Sequence, residues 1–260
     1  MTAAADASHL RTIHPMVRGG IADRHAALHN GAPPSPQAET LTDATAVLVI
    51  PGLHEVASSW PVRTYAKGDR LYQVDAPATT LFYLEAGLVA LELNTPKPRI
   101  GALAGPGDMV GALATGCGTY LESAVALSGE VAVRVLDERA QAELPAPDLA
   151  TLVAAAAGAR LAALTQALED GEHPVPARLA RAFLRLGSRF GQTLADGAVR
   201  LTLPVTHDTL AAMVGAARET TTAVVADMRR LGLVEGTRGS YRLRPAELMD
   251  YALEATLSAQ

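Results

Sequence analysis

The sequence predicts an α+β protein: an N-terminal β-roll or jelly roll, then a long helix, then a C-terminal winged helix-turn-helix. Three observations carry this. Short β-prone runs separated by Gly, Pro and Asp fill residues 46–135. A proline-free stretch between Pro147 and Pro174 repeats apolar residues every three or four positions. Residues 202–244 then set a capped helix, a glycine turn, a second helix and a Gly-rich hairpin in order.

Residues 1–44 mix Ala, His, Gly and Pro without a sustained period, which predicts a poorly ordered extension. Four histidines fall there, His9, His14, His25 and His29. With no carboxylate or cysteine at matched spacing they read as a solvated tail, not a metal site. The β domain, residues 45–145, has runs at 47–50, 71–74, 81–84, 88–93 and 131–136. Lys67-Gly68-Asp69, Glu85-Ala86-Gly87 and Gly105-Pro106-Gly107-Asp108 mark its tight corners.

The helix of residues 146–172 repeats Leu149, Leu152, Val153, Ala156, Leu161, Leu164 and Leu168. Such a face is expected to pair with its copy in a second subunit, and a helix lying on its own β domain would show the same pattern. Residues 173–260 complete the chain as the winged helix-turn-helix domain, with residues 191–200 read as a loop.

The net charge of −5 argues against nucleic acid only as an average. Residues 1–171 hold 11 Lys+Arg against 18 Asp+Glu, a balance of −7, and residues 172–244 hold 11 Arg against 6 Asp+Glu, a balance of +5. The basic surface therefore belongs to the C-terminal part. No stretch approaches the roughly 18 uninterrupted apolar residues of a membrane span, and the first thirty residues lack a secretory apolar run. A cytoplasmic protein without membrane contact is expected. The single Cys117 excludes an internal disulfide and a cysteine-ligated iron–sulfur cluster, and reads as a free thiol.

Thr206 is placed to cap a helix ending at Val214, Gly215 supplies the turn, and the second helix runs from about Ala217 to Leu231. Its exposed side presents Arg218, Glu219, Thr222 and Arg229. The N-terminal turn of such a helix enters the major groove, where arginine donates twice to guanine and glutamate accepts from cytosine. Thr206, Thr220 and Thr221 offer hydroxyls for phosphate, and Arg238 sits at the tip of the wing. The bland reading of Arg218 and Glu219 is a solvated charge pair. The order of elements around them favours a double-stranded DNA reader.

With these residues in hand, Gly215-Ala216-Ala217-Arg218-Glu219-Thr220 resembles the cyclic-AMP receptor protein and FNR family of bacterial regulators. Supporting stretches are Tyr65-Ala66-Lys67-Gly68-Asp69, Phe82-Tyr83-Leu84-Glu85-Ala86-Gly87 and Gly105-Pro106-Gly107-Asp108-Met109-Val110-Gly111. The resemblance spans residues from about 60 to 250. It implies a cyclic-nucleotide-binding-like sensor domain, a dimerisation helix, and a homodimer reading a palindrome. In it Arg218 and Glu219 read bases, Thr206 and Thr220 touch phosphate, and RNA polymerase is a candidate partner. Members that read TGTGA-type half-sites carry a further arginine where this chain has Ala223, and a serine where it has Ala217. The effector cassette departs more. Family cyclic-nucleotide binders begin it Gly-Glu and place Arg-Ser or Arg-Thr eleven residues after the Gly. Here the positions read Gly111, Ala112, Glu122 and Ser123. A glutamate would repel the cyclic phosphate, so cyclic AMP bound in the usual mode is not expected. No histidine lies between His54 and His173, which argues against haem, and no cofactor is expected.

No phosphate-loop, His-Glu-x-x-His or Gly-x-Ser-x-Gly motif occurs, so an enzyme is not expected. The alternative to DNA binding keeps the fold and lets the winged helix contact protein.

Overall fold

The computed structural model describes residues 56–112, 118–237 and 239–259. The extension of residues 1–44, its four histidines, the expected strand at 47–50, Cys117 and Arg238 lie outside the described residues.

Eight strands build the N-terminal domain: β1 Val62–Ala66, β2 Arg70–Tyr72, β3 Leu81–Ala86, β4 Val89–Leu93, β5 Ile100–Ala104, β6 Met109–Val110, β7 Glu122–Ala126 and β8 Glu130–Leu136. They pair antiparallel as β1 with β8, β2 with β7, β3 with β6 and β4 with β5, which is one long ribbon folded over itself. Cross-pairing of β3 with β8 and of β4 with β7 turns the ribbon into two facing sheets, β1-β8-β3-β6 and β2-β7-β4-β5. This is the jelly-roll solution the short punctuated runs predicted. Alternation sets the faces: Val131, Val133 and Val135 of β8 are buried between the sheets while Ala132 and Arg134 are half-exposed. Between β3 and β4, Gly87 takes φ 87°, and a Cβ there would lie 2.6 Å from the Glu130 carbonyl oxygen, so the corner requires glycine.

Asp137 caps the short helix α1 (Glu138–Glu143), and α2 (Ala146–Gly171) follows. α2 is the predicted long helix, 26 residues. By length and composition it could cross a membrane. Part of it packs within the chain. Leu152 and Ala156 are buried, and Leu149 and Val153 partly buried, in a cluster with Ala57, Trp60, Leu81, Tyr83 and Leu136 of its own β domain. Of the expected dimer stripe, Leu152 and Ala156 are thus covered within the chain, and Leu149 and Val153 only in part. Leu161 and Leu168 stay 61% and 73% exposed, and Leu164 is half-exposed.

The C-terminal domain centres on α3 (Val175–Phe190), which buries Leu179, Phe183 and Leu186 on one face. Pro176 in its first turn costs no hydrogen bond there. Around it lie β9 (Gln192–Thr193), β10 (Val199–Thr202), α4 (His207–Val214), α5 (Arg218–Arg230), β11 (Val234–Thr237), β12 (Ser240–Leu243) and α6 (Pro245–Leu257). The strands form one sheet in the order β11-β12-β10-β9. Residues 191–200 are thus not a plain loop, since β9 returns against β10. α6 is an unpredicted helix that packs on α3 through Leu248 and Ala252.

The core around α3 does not end at the domain boundary. Leu88, Ala90, Ile100 and Leu103 from the β4–β5 region belong to the same cluster as Phe183, Leu186, Leu210 and Val214. Ion pairs flank this junction. Arg189 of α3 meets Asp108 and donates to the Leu103 carbonyl oxygen at 3.1 Å, while Asp170 at the end of α2 takes Arg181 at 2.8 Å and also Arg185.

Candidate nucleic-acid interface

The hydroxyl of Thr206 accepts from the Thr209 amide at 3.2 Å, and the Thr209 hydroxyl faces the Thr206 amide in return, so the two threonines form a reciprocal cap. The far end of α4 closes on Gly215 at φ 64°, ψ 43°, the left-handed state glycine adopts at least cost. A Cβ at Gly215 would also overlap the guanidinium of Arg99, which lies over the turn.

α5 begins at Arg218 with no side-chain cap on Ala217, as its sequence implied, leaving amides of the first turn open to an anion. Its faces separate cleanly. Thr221, Val225 and Met228 are buried, whereas Arg218, Glu219, Thr220 and Thr222 are exposed. Thr221 is therefore removed from the candidate phosphate contacts. The other four side chains are open to solvent.

Arg218 is not paired with Glu219. Its Nε lies 3.4 Å from Asp208 of α4, with the side chains 65% and 63% exposed. Such a pair is weak and screened, so the guanidinium can leave it for a stronger acceptor. Sequence reasoning missed His207. Its Nδ1 lies 3.1 Å from the Thr222 hydroxyl, tying the start of α4 to the exposed face of α5. Burial, then the charges of Arg229 and Arg218, hold its pKa below the usual histidine value, with Asp208 pulling the other way. Its place directly after the cap Thr206 was the available signal.

Thr206, His207, Asp208 and Arg218 line a cleft of about 630 Å³ with Arg229, Thr237, Tyr241 and Lys67 of the β1–β2 turn. Nε and Nη2 of Arg229 are buried there without a hydrogen-bond acceptor. A concavity with Lys67, His207, Arg218 and Arg229 around one carboxylate is suited to a phosphate chain.

The cassette positions lie elsewhere, in the β domain. Ala112 is buried in the apolar cluster with Trp60 and Tyr83, and Gly111 turns at φ 95°. The Ser123 hydroxyl accepts from the Val74 amide at 3.0 Å. Glu122 is buried, and its carboxylate is met by Arg160 of α2. No cation was visible near Glu122 in the sequence of the β domain, because its partner lies on the helix. Among the described residues, no group of three His, Cys, Asp or Glu side chains is arranged to hold a metal ion.

Comparison with known proteins agrees with this geometry. Residues 62–146 match the model of the cyclic nucleotide-binding domain, and residues 177–251 that of the Crp-like helix-turn-helix domain. A CRP-like cAMP-activated global transcriptional regulator of Mycobacterium tuberculosis is 30% identical over 176 residues, covering 65% of this chain and 78% of that protein. Among solved structures, a CRP/FNR-family transcriptional regulator of Thermus thermophilus is 27% identical with a TM-score of 0.60, covering 75% of this chain and 100% of the other. FixK2 of Bradyrhizobium japonicum, at 20% identity, shares the fold with a TM-score of 0.63 over 74% of this chain and 96% of its own.

Proposed function

This chain belongs to the CRP/FNR family of transcription regulators, and on that premise we propose that it is a cytoplasmic homodimer reading a palindromic DNA site with α5. The observation that carries the reading is the exposed turn Arg218-Glu219-Thr220-Thr222 beside the cationic cleft. Arg218 and Glu219 contact base edges. Thr206, Thr220, Arg229 and, in the wing, Arg238 hold phosphate, which fixes the position of the helix without specifying sequence. The dimer rests on the uncovered part of α2, where Leu161, Leu164 and Leu168 continue past the intrachain contacts. RNA polymerase is the further partner that transcription control requires.

The Mycobacterium relative is described as cAMP-activated. In this chain the cassette carries Glu122, already engaged by Arg160, so cyclic AMP is not its effector in the usual mode.

Selection of duplexes from a random pool tests the proposal, with a palindrome expected. Arg218→Ala should abolish discrimination between selected and random duplexes, a loss of about 1–3 kcal/mol per half-site. Arg229→Ala should weaken both about equally and flatten the salt dependence. Failure to select any duplex, with affinity insensitive to salt, would favour a protein partner for the winged helix.

A further inference from the structure

Glu122 opens β7 inside the β domain, and Arg160 reaches it from the middle of α2. Their side chains are 7% and 8% exposed. Nε of Arg160 donates to both carboxylate oxygens, at 3.1 and 2.9 Å, and Nη2 donates to Oε2. Room for the guanidinium is built into β5, where Gly101 would place a Cβ only 2.7 Å from Arg160 Nη2. Stacked rings of Phe82, Tyr72 and Tyr120 fill the space between the sheets, with Tyr72 and Tyr120 centroids 4.1 Å apart. Among the described residues, a void beside Arg160, lined by Leu91, Ala102, Val110 and Ala156, is about 60 Å³. That admits a few waters, whereas ligand pockets start near roughly 300 Å³.

The cassette that the resemblance implies has an arginine where this chain has Glu122. Here the strand supplies the anion and the chain's own helix supplies the cation. We propose that Arg160 is the permanent occupant of the effector pocket, its pair with Glu122 pinning α2 to the β domain so that the DNA-reading state is held without a diffusible effector. The link onward is short. Asp170, in the last turn of α2, holds Arg181 and Arg185 of α3, and Asp108 of the β domain holds Arg189. In this pinned arrangement the reading face of α5 stays exposed.

The proposal rests on the DNA-binding reading, and two assays separate them. In the first, the full chain binds its selected duplex with and without cyclic AMP. Wild-type affinity should not respond to the nucleotide, Glu122→Gln and Arg160→Gln should each weaken specific binding by about tenfold or more, and Glu122→Arg with Arg160→Glu together should recover most of the loss. Single variants that bind like wild type would overturn the proposal, as would a tenfold gain from cyclic AMP. Because an unpaired buried charge can unfold a protein, the reciprocal swap decides such a case: a folded swap that fails to recover overturns the pairing. In the second, hydrogen exchange of α2 amides is followed without DNA. Faster exchange in Glu122→Gln supports the latch and unchanged exchange overturns it, even if the wild-type chain selects no duplex and the DNA reading falls.

Discussion

Asp208→Asn should tighten DNA binding while loosening the fold. In the free protein Asp208 holds Arg218 at 3.4 Å, and both side chains are more than half exposed. Pairs of this kind are worth about 0.2–1 kcal/mol, which Arg218 would give up in turning to a guanine as proposed. Removing the competitor returns that amount, about 1.4- to 5-fold per half-site and about 2- to 30-fold for a dimer on a palindrome. Stability moves the other way. Asp208 lies in the first turn of α4, where a negative charge is worth about 0.3–1 kcal/mol against the helix dipole. Adding the lost pair gives a cost of about 0.5–2 kcal/mol, or a Tm lower by about 1–8 °C. Fluorescence anisotropy on selected and random duplexes at fixed salt, with calorimetry beside it, measures both. The cycle with Arg218→Ala is the critical arm. If the tightening is as large on random duplex, or persists in the Arg218→Ala background, Asp208 repels phosphate in general and does not hold Arg218 in reserve.

His207 should make DNA binding pH-dependent. Its pKa is depressed in the free fold by burial and by Arg229 and Arg218, and a phosphate in the cleft would raise it. Binding then takes up a proton, so affinity should grow as pH falls from 8 to 6 by at most about tenfold per unit per protomer, and His207→Gln should flatten the curve. For the free protein the sign is opposite: the unfolded chain binds the extra proton, so this group lowers stability as pH falls below its unfolded value of 6.5. Leu161→Glu with Leu168→Glu should dissociate the dimer in sedimentation equilibrium. Each buried leucine is worth about 1.5–3 kcal/mol and each occurs twice, about 6 kcal/mol at the least, so the dissociation constant should rise by about ten-thousandfold or more. Phe183→Ala removes a fully buried ring set edge-on to Tyr241 at 5.4 Å. Its cost of about 3–5 kcal/mol should appear as a Tm lower by about 6–20 °C.

What could be read from the sequence was what neighbours in the chain decide. Thr206, Gly215 and the start of α5 are specified by caps and a left-handed turn, each written within a few residues. The β domain was legible as runs and corners, although the order in which its strands pair was not. Features that depend on distant segments stayed hidden. Glu122 read as a bare repulsive charge, since its partner Arg160 lies 38 residues away on another element. The leucine repeat of α2 showed that a face is apolar, yet the division of that face between the β domain and the uncovered leucines depends on how far the sheets extend. Thr220, Thr221 and Thr222 are chemically alike, and only the rotation of α5 against Val225 and Met228 separates the buried one. Lys67 joined the cleft by tertiary proximity alone.

The apolar cluster that runs from Leu88, Ala90, Ile100 and Leu103 into α3 and α4 limits how modular this protein can be. Two domains that share a core have no natural seam at which to melt separately, so heat or denaturant should take both apart in one transition. A fragment beginning at residue 173 would carry Leu186, Val214 and their neighbours with one side stripped of its cover. It should self-associate or open locally where the intact chain is quiet. The winged helix is therefore not a detachable reading head. Grafting it onto another sensor would mean transplanting the β4–β5 hairpin with it.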